Sequence, residues 1–79
     1  ITISKTISVH TVESNISRDL DRIQKKYINY VEIGSYPFFR LGVIGVSIVL
    51  RSTKKKFLKK CNLEIKKIIK NKKIKIYKD

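Results

Sequence analysis

Ile3, Ile7 and Val9 alternate with Ser4, Thr6, Ser8 and His10 at the start of the chain. A period of two predicts a strand with one face turned to a core, interrupted here only by Lys5. The period then changes: Ile16, Leu20, Ile23 and Tyr27 recur at steps of three and four, the stripe of an amphipathic helix. Thr11 or Ser14 can cap that helix, Glu13 suits its positive end, and Lys25 and Lys26 suit its negative end. Tyr30 to Ile33 predicts a short strand, stopped by Gly34-Ser35 and by Pro37, which has no amide proton. Val43 to Arg51 is apolar on both faces, with Ile44, Val46, Ile48 and Leu50 on one and Val43, Gly45, Ser47 and Val49 on the other. That pattern predicts a central strand. Ser52 or Thr53 opens a second helix with a predicted stripe of Phe57, Cys61, Ile65 and Ile68, edged by Leu58 and Ile69. Ile74, Ile76 and Tyr77 predict a short, very basic last strand.

The order β-α-β-β-α-(β) predicts one small two-layer α+β domain over residues 1–79. Its sheet is expected to be ferredoxin-like or KH-like, a split βαβ with both helices on one face. In this scheme Ile33-Gly34-Ser35-Tyr36-Pro37-Phe38-Phe39-Arg40 is the corner between two strands, its rings either closing the core or gripping a ligand. Gly42-Val43-Ile44-Gly45 spells the GxxG of KH domains, a loop that clamps a nucleic-acid backbone between two helices. Here the four residues enter an apolar strand, so glycines permitting a bend or bulge are the simpler reading.

Length and chemistry narrow the picture further. A chain of 79 residues buries only about 60–65% of its unfolded surface, enough for one modest core. It begins at Ile1 and holds no methionine, as expected of a piece of a longer protein. No uncharged apolar run is long enough to span a bilayer and no signal peptide is recognisable, so a cytoplasmic setting is expected. Cys61 and His10 are each the sole residue of their kind, which argues against an internal disulfide and a zinc site. His10 lacks an acidic or nucleophilic partner by spacing. Asp19 and Asp21, two apart, cannot share a helix face. No catalytic residue and no metal ligand set is identified.

Charge is lopsided. Residues 1–52 carry seven basic and four acidic side chains, or +3, whereas residues 53–79 carry twelve lysines against Glu64 and Asp79, or +10. Lys54, Lys55 and Lys56 stand where the second helix begins, opposing its dipole, which makes them a candidate anion-binding group. Lysine, isoleucine and asparagine together make 33 of the 79 residues, so A/T-rich codon bias competes with selection for an anionic partner.

Two segments taken together carry a family resemblance. Glu13-Ser14-Asn15-Ile16 opens a helix and is followed by Val31-Glu32-Ile33-Gly34-Ser35-Tyr36-Pro37, then Phe39, then the strand Val46 to Ser52. This arrangement, over about residues 10–70, resembles the small KH-like subdomain that follows the molybdopterin-binding-like domain in eukaryotic FAD synthases. It is similar also to a domain of the competence/damage-inducible CinA proteins. The chain departs from those relatives in its three lysines at 54–56, where they tend to be acidic, and in Phe38, Arg40 and Leu41 after the proline.

The resemblance implies a non-catalytic accessory domain in a nucleotide pyrophosphatase or FAD synthase, covering the active site or assisting assembly. It implies no cofactor in this segment, while the parent would use a divalent metal and a nucleotide such as FAD. The implied partner is the preceding molybdopterin-binding-like domain of the same chain, with homo-oligomers also open. Glu13, Ser14, Gly34, Ser35, Tyr36, Pro37 and Phe39 form the signature, and Arg40 is a candidate phosphate contact. The alternative from charge and fold class is a small basic RNA-binding module such as a ribosomal protein. Against it, the central strand Val43 to Leu50 contains no aromatic to stack a base.

Overall fold

The structure, a computed structural model, describes residues 1–77. Its elements are β1 (Ile3–His10), α1 (Glu13–Lys26), β2 (Glu32–Arg40), β3 (Val43–Ser52), α2 (Lys55–Asn71) and β4 (Lys75–Ile76). The strands form one sheet in the order β2-β3-β1-β4, with every neighbouring pair antiparallel. This is the predicted split βαβ arrangement, and β3 is central as its doubly apolar pattern requires.

Strand pairing fixes the faces. Val9 lies opposite Val46, Ile7 opposite Ile48 and Lys5 opposite Leu50. Directly opposed residues project to the same side, so this side carries the core. Val9, Val46, Ile48 and Leu50 are wholly buried beneath the two helices. From α1 come Ile16, Leu20, Ile23 and Tyr27, the predicted stripe. The α2 stripe is rotated from the expected one: Leu58, Cys61, Ile65 and Ile69 are buried, while Phe57 and Ile68 lie at its margin. Either set fits helical spacing; what decides is how α2 leans against the sheet and α1.

Neither expected N-cap acts as one. Val12 precedes α1 and Lys54 precedes α2, both without a side-chain cap. Thr11 instead accepts a hydrogen bond from Asn15 Nδ2 at 2.9 Å. Ser52 is buried; its Oγ accepts from the Lys54 amide at 2.9 Å and donates to the Tyr30 carbonyl at 2.5 Å. Lys72 Nζ ties the end of α2 to α1, reaching the Asn15 carbonyl at 2.6 Å and Asp19 at 2.7 Å.

The largest correction concerns Gly34 to Arg40. They are not a corner. Strand β2 begins at Glu32, later than the predicted Tyr30, and continues through Gly34 and Pro37 to Arg40, paired with β3 throughout. Pro37 is accommodated because β2 is an edge strand, so its backbone has a neighbour on one side only. The actual turn is Leu41-Gly42, with φ of 52° and 78°. A two-residue hairpin turn of the I′ kind needs positive φ at both positions.

Candidate functional site

Strand alternation divides the signature residues between two faces. Ile33, Ser35, Pro37 and Phe39 oppose Leu50, Ile48, Val46 and Ile44 and therefore lie on the helix side. Gly34, Tyr36, Phe38 and Arg40 oppose Val49, Ser47, Gly45 and Val43 and lie on the open face. Contiguous in sequence, these residues cannot act on one ligand together.

On the open face the glycines make room for rings. A Cβ on Gly34 would stand 2.9 Å from the Tyr36 hydroxyl, so the Tyr36 side chain lies back along its own strand over Gly34. A Cβ on Gly45 would stand 2.4 Å from Phe38 Cζ and 2.8 Å from the Val9 carbonyl. Phe38 thus reaches across β3 toward Tyr77, whose ring centroid is 5.5 Å away. Tyr77 in turn stacks on His10 at 3.7 Å with 19° between the planes. Arg40 places its guanidinium 5.6 Å from the Phe38 ring, within cation–π range. Ser8 and Ser47 share a hydrogen bond of 3.1 Å between β1 and β3.

Other predicted residues stand elsewhere. Glu13 and Ser14 start α1 just beyond His10, at the same end of the sheet as Phe39 and Arg40. Lys54, Lys55 and Lys56 are exposed at the opposite end, where β3 finishes and α2 begins. Nothing brings those lysines to the signature. Gly45 is a strand residue beneath Phe38, so the GxxG letters do not form a clamp between helices.

Pairing alone could have revealed His10, Phe38, Gly45 and Tyr77 as a group. The signal was the two-residue period Gly34, Tyr36, Phe38, Arg40, obscured by reading Gly34 and Pro37 as strand breakers.

The hairpin end is apolar and unsheltered. Phe39 is 72% exposed, Leu41 96% and Ile44 54%. Phe39 and Ile44 are direct partners on the helix side, beyond the part of the sheet that the helices shield.

Tyr27, Cys61 and Glu64 form a linked set between the two helices. Burial, followed by the hydrogen bond to Glu64, pushes the Tyr27 hydroxyl up to about 12. Burial also raises Glu64, but the Tyr27 and Lys26 hydrogen bonds and the Lys26 and Arg22 charges outweigh it and hold its pKa low. Burial pushes the Cys61 thiol up to about 11, with Glu64 adding to the effect, which leaves it unionised and unreactive near neutral pH. Among the described residues no group of three His, Cys, Asp or Glu side chains could hold a metal ion. A cleft of about 790 Å³ lies between α2 and β4 with Lys66, Lys70 and Lys75 around Ile69, Ile74 and Tyr77. No described helix is long and apolar enough to cross a membrane.

The model of the family described as FAD synthase, middle domain, covers residues 2–78, nearly the whole chain. No curated protein and no solved structure matches it at a significant level.

Proposed function

Because the chain belongs to the FAD synthase middle-domain family, we propose that it is a non-catalytic accessory module that docks its hairpin end onto a neighbouring domain of the same protein. The observation behind this reading is Leu41. A leucine in the left-handed region costs roughly 1–2 kcal/mol, and here it is also almost entirely exposed. The hairpin turn itself sets that φ, and Asn, Asp or Gly would fill the position with less strain, so the leucine adds exposed apolar surface at a cost that a polar turn residue would avoid. Phe39 and Ile44 extend Leu41 into one apolar surface, the type of patch that marks a protein contact.

The neighbour would be a molybdopterin-binding-like domain, as in the related FAD synthases and CinA-type proteins. The hairpin then helps to cover an active site that hydrolyses or forms a nucleotide pyrophosphate, with metal and nucleotide held by that domain, in the cytoplasm. The test is the parent protein carrying Phe39→Ser and Ile44→Ser. Limited proteolysis between the domains should accelerate several-fold and pyrophosphatase or synthase turnover should fall, while circular dichroism of the domain is unchanged. Unaltered proteolysis and turnover in the doubly substituted protein would overturn the reading.

A further inference from the structure

The open face of the sheet has no element packed over it among the described residues, and its composition is specific. Four rings lie on it: Tyr36, Phe38, Tyr77 and His10. Among the described residues three cations accompany them, Arg40, Arg51 and Lys75, against one carboxylate, Glu32. Arg51 and Glu32 make only a long contact of 4.0 Å, so Arg51 is not consumed by an ion pair. Small groups able to hydrogen-bond share this face: Ser8 and Ser47 lie on the same rung as Tyr36, with Thr6 and Ser4 farther along β1 toward Arg51. Tyr36 is 54% exposed, and with Gly34 beneath it its ring is laid along the strand rather than standing away from it.

We infer that this face binds single-stranded nucleic acid, stacking unpaired bases on Tyr36 and Phe38 and holding phosphates with Arg40, Arg51 and Lys75. Aromatic rings supply a sequence-tolerant stacking surface, and the flanking cations match a phosphodiester backbone. Small nucleotides favour concave, enclosing sites. The rings run from β2 across β3 to His10 on β1 and Tyr77 just past β4, a span that suits an extended strand better than one small molecule. Aromatics absent from the interior of β3 arrive from β2 and β4 instead, because Gly45 leaves space for Phe38 to cross. The inference is independent of the docking role of the hairpin end.

A strongly basic protein attracts any polyanion, so the experiment separates stacking from charge. Fluorescence anisotropy of the chain with a labelled ten-nucleotide oligouridylate is compared with a duplex of equal length. The single strand should bind at least tenfold more tightly, because a duplex has no unpaired base to stack. Tyr36→Ala should weaken binding by about 5- to 150-fold, the range for loss of one stacked base. Lys59→Ala with Lys60→Ala on α2 should change it much less. Arg40→Gln should lower the slope of log affinity against log salt by about 0.7, one phosphate contact.

Since Phe38 packs against Tyr77, its removal can unfold the domain; NMR supplies the second readout. Oligouridylate should shift the amides of Gly34, Gly45 and Ser47. No binding, equal binding to the duplex, or shifts confined to the α2 lysines would overturn the inference. So would a Tyr36→Ala protein that melts normally and binds as well as the parent. Retained RNA binding in the Phe39→Ser, Ile44→Ser protein separates this face from the docking surface.

Discussion

The two faces of β3 use one strand to solve two problems. On the helix side, Val46, Ile48 and Leu50 are branched aliphatics packed to complete burial. On the other side, Gly45, Ser47 and Val49 are small, and the apolar cover is borrowed from rings rooted on other strands. A core needs volume at its own positions, whereas an open face needs the strand to stay low so that neighbours can lie across it. The two sides differ in hydropathy and in size: the helix side is aliphatic throughout, whereas Gly45 and Ser47 break the open side with small, less apolar positions.

That contrast can be broken from either side. Ile48→Ala should cost about 2–5 kcal/mol, a large share of the stability of so small a domain, measured by urea unfolding. Gly45→Val should come next, at about 1–3 kcal/mol of overpacking, since Phe38 can turn aside but the Val9 carbonyl cannot. Thermal melting reads it, and a Gly45→Val protein as stable as the parent would mean that the Val9 carbonyl does not crowd this position. Tyr36→Ala should be the mildest, within about 0.5 kcal/mol, because the ring is half exposed and leaves no cavity. Equal costs for Ile48→Ala and Tyr36→Ala would remove the distinction between the faces.

The helix side also carries a pH dependence. Glu64, held between Tyr27 and Lys26, has its pKa depressed in the folded state. Its contribution is therefore complete above the unfolded value of about 4.3 and is lost as pH falls through the folded one. Glu64→Gln should flatten the decline of the urea midpoint between pH 6 and pH 3. An unchanged slope would show that other carboxylates govern it.

Much of the fold was legible because its strongest patterns are local and repetitive. The stripe Ile16, Leu20, Ile23, Tyr27 and the doubly apolar Val43 to Leu50 each specify an element without help from distant residues. Gly34 to Arg40 was illegible for the opposite reason. Its glycine and proline carry breaker signals, and only the long pairing with β3 outweighs them. The candidate site suffered accordingly. Residues joined by sequence, Gly34 to Arg40, are parted by the pleat, whereas His10, Phe38 and Tyr77 are joined by strand order alone.

Pro37 in the middle of β2 has a consequence for life at high concentration. An unprotected edge strand invites a second molecule to extend the sheet, the first step toward aggregates. Pro37 offers such a visitor no amide proton at the centre of the edge. The far edge is short, with Lys75 in β4 and Lys72 and Lys73 just before it, so like charges oppose stacking of copies there. The proline that resembled a turn residue is thus a guard on the solubility of the sheet.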